Sequence, residues 1–539
     1  YNKDDAGNII NSINIKAKDT TITVDGDLAV GIYAQNNDNA NQTDVEIKYD
    51  DQNLNAAGII LQNKATSTPI NSRGVGFALV NNNPNYNGGI IELNGRSGTS
   101  LGTFTTAANH IFTQENGIGV YGENVKVNVV SKDFTVVTKD NGVGMWVTDN
   151  SEIAKGANHQ KTFNYNYDGA SNKNGFAMAF SGKRTTNTTA SNDLDIKFSN
   201  KADSAGVDLA YEIAESKAAT PSTTRGTHKG IAGILVNTND AGDTVTNRGH
   251  IEEDTSSKTN IRAYGAVVNK GTFINYGKIK LNDSLDAQAD QITSEDIKKA
   301  NVGIFANSTN GLQTTIENHG DITIGDSTNN KNIGSWAIYG YNVKTGAKAD
   351  GTDSVYRINK NSYGIYSGDG KVQIQKGTKI YVGNDTVLGH KQNTETIGTA
   401  TFPIVRQNQY ATDQQLLSGL DTPRERDSSI GVYIDNNGRF SNTDRDIEVS
   451  ADMDIDRFSH GIVLAEKTGG AETTVNLGTS AADAPKIKLA YSTANNAGGH
   501  VKSVTPHTPE IWDKEPEEQG NSVYYYSADT NSKAKSYAN

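Results

Sequence analysis

Residues 267–279 read VVNKGTFINYGKI. The pattern apolar-x-Asn-x-Gly-x-apolar occurs there twice in tandem, once through Asn269 and Gly271 and again through Asn275 and Gly277. Single copies stand on either side, VTNRGHI from Val245 to Ile251 and IENHGDI from Ile316 to Ile322. Apolar residues alternating with polar ones mark half-buried strands. Asn and Gly both tolerate the left-handed backbone of a sharp corner. Strand, corner and next strand therefore fit into very few residues. The chain can turn quickly and lay its next coil on the last one.

A second signal recurs along nearly the whole chain. It is a glycine-anchored strand: VGIYA (Val30–Ala34), AGIIL (Ala57–Leu61), VGFAL (Val75–Leu79), IGVYG (Ile118–Gly122) and VGMWV (Val143–Val147). It returns as AGILV (Ala232–Val236), YGAVV (Tyr264–Val268), VGIFA (Val302–Ala306), YGIYS (Tyr363–Ser367), IGVYI (Ile430–Ile434) and HGIVL (His460–Leu464). Weaker copies are assigned to Gly175, Gly206, Ala337 and Gly398. Most spacings fall at roughly 25–38 residues, the range of stacked repeats. Ankyrin and tetratricopeptide arrays share that range but are helical. Here the stretches between anchors alternate with period two, as in Val45/Ile47/Tyr49, Val125/Val127/Val129 and Leu194/Ile196/Phe198. A row of β-sandwiches would need about 100 residues per domain, far more than one spacing.

The fold expected is all-β: a right-handed parallel β-helix, or β-solenoid, with lateral loop insertions. Residues 1–492 read as one continuous segment, with insertions near 212–229, 282–300 and 406–429. Residues 493–539 read as a C-terminal extension, the start of further coils. Both ends lie in polar stretches, so a piece of a longer protein is expected.

Hydrophobic residues make up 35% of the 539 residues. That is little for a globular chain of this length and suits a thin solenoid. The net charge of −12 comes with scattered Lys and Arg and no basic stripe, so nucleic acid is not an expected partner. No run of 18 apolar residues is present to span a membrane as a helix. Cysteine is absent, which excludes disulfides, thiol nucleophiles and Cys-ligated metals.

The glycine-anchored strand combined with NKGTFINYGKI-type units resembles the passenger domains of type V (Va) autotransporters. The Asn-rich, aromatic version is most similar to large fusobacterial outer-membrane adhesins, the group of RadD and the galactose-inhibitable lectin. The resemblance covers residues 10–490. It implies a bacterial surface adhesin segment that is not an enzyme. Its partner would be a glycan or protein receptor on host cells or other bacteria. Membrane attachment would come only through a C-terminal translocator barrel that this sequence does not contain. A monomer is expected. The alternatives are a β-helical carbohydrate-active enzyme and a structural stalk that projects a distal binding domain.

No catalytic, cofactor-binding or metal-ligating residue is assigned, and no cofactor is expected. Gly98-Thr-Ser100-Leu-Gly102 matches GxSxG, but its flanks read as turn and strand, whereas the nucleophile elbow needs a strand before and a helix after. Asp452, Asp454 and Asp456 alternate on one strand face, about 7 Å apart, as glycosidase carboxylates can. A solvated outer face is the plainer reading. Arg457 stands where an EF-hand needs Gly. The histidines are dispersed. Asn94-Gly-Arg96 and Asn437-Gly-Arg439 are turn signals first.

Receptor-binding candidates come from two places. The 406–429 insertion offers Arg406, Tyr410, Arg424 and Arg426, with both charge signs in its PRERD cluster. The aromatic residues that follow anchor glycines offer Trp146, with Trp336 in a looser copy. Counting two residues from each glycine puts Tyr33, Tyr121, Trp146, Phe305, Tyr366 and Tyr433 on the glycine's own side, as an inward core ladder. An outward series would instead form a stripe suited to sugar faces or a protein partner.

Overall fold

The computed structural model describes residues 2–3, 9–10, 12–17, 22–25, 29–36, 45–51, 59–62, 74–82, 89–94, 111–113, 115–130, 133–155, 162–169, 173–182, 189–200, 230–257, 262–283, 301–306, 313–325, 335–358, 362–368, 370–382, 394–397, 400–403, 430–436, 447–455, 460–466, 475–478, 480, 483–489, 522–527 and 536–538. Among them there is no α-helix. The chain divides into two compact units, Tyr1–Ala205 with Lys229–Lys278, and Gly206–His228 with Ile279–Asn539. The expected insertions at 212–229 and 406–429, residues 284–300 of the third, and the sequence GTSLG lie outside the described residues.

Each unit is a parallel β-helix. One coil of the first unit shows the plan. Ile118–Glu123 belongs to the anchor sheet, Val125–Val129 to a second sheet and Phe134–Thr138 to a third. The chain then re-enters the anchor sheet at Gly142–Thr148. Each strand pairs in parallel with its counterpart one coil on: Ile118 with Val143, Val127 with Ile153, and Phe134 with Phe163. The second unit repeats the plan with Trp336–Gly340, Asn342–Thr345 and Ser354–Ile358, followed by Tyr363–Ser367. Antiparallel pairing occurs in three places among the described residues: Asn2–Lys3 with Ile9–Ile10, Thr394–Ile397 with Ala400–Pro403, and Ser522–Ser527 with Ser536–Ala538.

The alternating runs fill the inside of the coils. Val125, Val127 and Val129 are buried while Lys126 and Asn128 between them are half-buried, and Leu194, Ile196 and Phe198 repeat the pattern. A single-residue slip would turn each such set to solvent, so the pattern fixes the register.

The anchor glycines are explained by a close approach between coils. The register runs from Ile118↔Val143 directly to Val120↔Met145. Between these pairs the backbones press together. A Cβ added to Gly76 would lie 2.5 Å from the carbonyl oxygen of Gly119, and one on Gly119 would lie 2.5 Å from that of Gly144. Gly431 meets the Gly461 oxygen in the same way at 2.6 Å. Two anchor assignments change in consequence. The carbonyl facing Gly144 is that of Ala177, so Ala177 is the anchor of that coil, while Gly175 pairs with Gly142. Alanine is the next smallest residue, and a search for glycine passes over it. The AGIIL copy is not an anchor strand. Ile59–Gln62 pairs with Ile22–Asp25 and Ile111–Phe112, in the third sheet. Ala337 does stand at an anchor position, facing Gly303.

The Asn-x-Gly corners divide. Gly271 has the left-handed backbone expected of them, with a φ of 108°. Asn247, Asn275 and Asn318, with Gly249, Gly277 and Gly320, have no positive φ. The asparagines are buried instead. Asn192 Nδ2 donates to Asn247 Oδ1 at 2.8 Å, and Asn247 Nδ2 donates to Asn275 Oδ1 at 2.7 Å. Each amide also donates to the carbonyl two residues ahead, in Leu194, Gly249 and Gly277. The glycines are required because a Cβ on Gly249 or Gly277 would collide with the carbonyl of Leu194 or Gly249 in the coil beside it. Left-handed backbone is found at other corners, at Asn116, Asn124, Asn141 and Asp149.

Candidate functional site

The outer faces of the three sheets differ in chemistry. The second and third sheets carry charges that are largely paired. In the first unit Lys126 meets Glu152 at 3.6 Å, Lys155 meets Asp195 at 3.2 Å, and Lys197 meets Asp254 at 2.7 Å. In the second unit Lys379 meets Asp353 at 2.6 Å and Lys376 meets Asp452 at 2.8 Å. Burial alone would raise the Asp254 carboxyl. The hydrogen bonds from Lys197 and Ser256 outweigh it and hold that carboxyl below its ordinary range.

The anchor sheet is the apolar one, and its parity is set by the glycine. Gly119 directs its missing Cβ at Val136 of the third sheet, and Gly122 directs its own at Val125 of the second. Val120, between them, is fully buried. Three residues of each anchor strand therefore turn inward, and the two that turn outward are the one before the glycine and the second one after it. In the first unit the expected inward ladder is thus corrected, because the local irregularity at the glycine breaks simple alternation and places Tyr33, Tyr121 and Trp146 on the outer face. In the second unit Phe305, Tyr366 and Tyr433 are buried, as the ladder requires.

In the first unit this face is open. Val30 is 37% exposed and Tyr33 51%. Val75, Tyr121, Trp146, Phe176 and Leu235 are half-buried against Ile118, Val143 and Ala179. Tyr121 and Trp146 meet edge to face with centroids 6.4 Å apart. The Trp146 indole donates to Ser181 Oγ at 2.8 Å, which fixes its orientation.

In the second unit the corresponding positions form a continuous aromatic stack. Phe305, Tyr339, Tyr366 and Tyr433 stack in order, with centroids 5.1, 4.1 and 5.5 Å apart. Trp336 stacks on Tyr363 at 4.3 Å and meets Tyr339 edge to face. All of these rings are buried, Trp336 at 4% exposure. The two tryptophan candidates therefore stand at equivalent faces of different units, one accessible and one not. Arg406, Tyr410, Arg424 and Arg426 lie outside the described residues.

Asp452 and Asp454 share the outer face of their strand, while Met453 and Ile455 turn inward. Asp456 lies outside the described residues. Asp452 is held by Lys376 and accepts the backbone N–H of Lys486 at 3.0 Å. Such contacts bind one coil to its neighbours. No group of carboxylates and histidines that could hold a metal ion is found among the described residues.

A polar corner escaped the sequence reading. In the NHG copy at 318–320, His319 Nε2 lies 2.8 Å from Glu317 Oε1, and Nδ1 lies 2.9 Å from the Ala347 carbonyl oxygen. Both partners are oxygen atoms, of a carboxylate and of a backbone carbonyl, so the ring bridges Glu317 to the 347 corner. Lys344 Nζ reaches the same Glu317 oxygen at 2.8 Å. Burial would raise the Glu317 carboxyl, but the bonds from His319 and Lys344 prevail and keep it low. The usable signal was the residue between Asn and Gly, which projects outward at each such corner.

Compared with known proteins, the chain matches no protein-family model, no curated protein and no solved structure.

Proposed function

We propose that this chain is a surface-exposed segment of a large type V autotransporter adhesin. In this reading it is held at the bacterial cell surface by an outer-membrane translocator barrel elsewhere in the protein. It binds a glycan or protein receptor on host cells or other bacteria and performs no chemistry of its own. The observation that supports the reading best is the contrast between faces. The second and third sheets of the solenoid show water paired charges, and the anchor sheet of the first unit shows an uncharged, aromatic strip around Tyr33, Tyr121 and Trp146. Solvent-facing aromatic surface of this kind is enriched where proteins bind partners. The resemblance of the repeat units to passenger domains points the same way.

The test is attachment of the purified chain to host cells and to partner bacteria, with two variants. One replaces residues 406–429 by a short Gly/Ser linker, and the other is Tyr121→Ser with Trp146→Ser. Lost attachment in either variant, with the circular dichroism of the parent chain retained, supports the adhesin reading and locates the contact. Absent attachment by the parent chain sinks it and leaves a stalk. Turnover of a polysaccharide that disappears in Asp454→Asn would replace it with an enzyme.

A further inference from the structure

We propose that Tyr339, Tyr366 and Tyr433 form an oxidative modification site, at which neighbouring phenol rings couple to dityrosine and tie successive coils of the second unit together covalently. The inference stands on ring geometry and not on the adhesin reading. The three residues occupy one column of the anchor sheet, where the parallel register pairs Tyr339 with Tyr366 and Tyr366 with Tyr433. Phe305 precedes them in the column and Val463 follows. Neither carries a phenol, so the reactive stretch is these three rings. Tyr339 and Tyr366 have centroids 4.1 Å apart and planes 8° from parallel, and Tyr366 and Tyr433 stand 5.5 Å apart at 12°. Among the described residues no other strand pairing sets one tyrosine over another. In the first unit the same column reads Tyr33, Ala78, Tyr121 and Trp146, with no two tyrosines adjacent.

Coupling joins ring carbons ortho to the hydroxyls. Stacked rings on paired residues bring those carbons over one another, while the backbones stay one rung apart, at ~4.8 Å. Each phenol gives one electron and its phenolic proton to a one-electron oxidant, here a carbonate radical anion, which becomes bicarbonate. The two tyrosyl radicals combine and form one C–C bond between ortho carbons. The hydrogen on each of those carbons then moves to the phenolic oxygen, and both rings become phenols again. Two tyrosines and two carbonate radicals thus yield one dityrosine and two bicarbonate ions. Tyr366 and Tyr433 are 4% exposed and Tyr339 is fully buried, so a radical formed there meets its stacked neighbour and no ring of another molecule. Trp336 packs edge to face on Tyr339 and on Tyr366, at 5.8 and 5.6 Å. An oxidising equivalent taken up by the indole therefore has two phenols in contact. The chain has no cysteine, so no disulfide can make such a tie.

The test exposes the full chain to photochemically generated carbonate radical, then digests it and searches by mass spectrometry for joined peptides that are lighter than their sum by two hydrogens. The dominant pair should join the peptides of Tyr339 and Tyr366, with a lesser pair joining Tyr366 and Tyr433, and dityrosine fluorescence should rise. Tyr366→Phe keeps a ring in the stack but removes the shared phenol, so both pairs should be lost. Tyr433→Phe should lose only the second pair. Circular dichroism checks that each variant keeps the parent fold. The same chain unfolded in urea should show no preference for either pair over its other tyrosines. A folded parent chain whose tyrosines couple no more selectively than those of the unfolded one overturns the proposal. So does oxidation that alters Trp336 or single tyrosines and leaves both pairs absent.

Discussion

Asn247 serves three partners with one side chain: Asn192, Asn275 and the carbonyl of Gly249. All lie in the dry interior of the corner, where a polar group without a partner costs roughly 1–3 kcal/mol. Asn247→Leu should therefore destabilise its coils by about 3 kcal/mol or more, because it strands groups on both sides. Asn247→Asp should be worse at neutral pH, since it removes both donors and faces a carboxylate toward Asn275 Oδ1. Amide hydrogen exchange at the Asn192, Asn247 and Asn275 corners would register both effects. Gly119→Ala tests the other recurrent residue. Its new Cβ would press on the Gly144 carbonyl, and the strain of overfilling should cost about 1–3 kcal/mol. A midpoint in urea unchanged from the parent would refute the close-approach explanation.

At the scale of the strand, the glycine reports both what was legible in the sequence and what was not. Its recurrence marks the anchor sheet correctly at Gly76, Gly119, Gly144 and Gly431, because the facing carbonyl leaves these positions no room for a larger side chain. The same rule explains the misses. Ala177 fills the position with the next smallest side chain, and the glycine of AGIIL precedes a third-sheet strand. The side on which Tyr33 and Trp146 fall could not be counted from the glycine, because the irregularity that the glycine permits is what changes the parity. Of the Asn-x-Gly corners, the one through Gly271 has the left-handed φ expected, while those through Asn247 and Asn275 need side-chain amides and bare backbone instead. The charged corner on the following element gives a pH prediction. The Glu317 carboxyl lies below its ordinary range when folded, so its contribution is present above the unfolded carboxylate range and fades as pH falls through the folded value. Lys344→Met should raise the pH at which acid begins to loosen the 314–324 strands. Hydrogen exchange against pH checks it, and an unchanged acid limb would remove Lys344 from the account.

At the scale of the whole chain, stability is local in character. A repeat array draws its stability from each coil and from the coils beside it, so no single unfolding free energy need describe it. Trp146 and Trp336 sit in different units and can serve as separate probes, with the remaining tryptophan, Trp512, replaced by phenylalanine. Single-tryptophan variants should give urea transitions that differ from each other. Asn247→Leu should move the Trp146 transition and leave that of Trp336 in place. Coincident transitions in both variants would mean that the chain unfolds as one cooperative body.

The rung-to-rung pairing also decides how the molecule meets force. Within a parallel stack every coil is tied to the next by hydrogen bonds, yet its chain continues directly into that neighbour. Tension applied through the backbone therefore peels coils one after another and does not shear a whole sheet at once. The coil from Ile118 to Val143 would release roughly 80 Å of slack as it opens. A tether built this way yields in small steps under a sudden pull and rewinds when the pull stops. Under flow it would behave as a shock absorber.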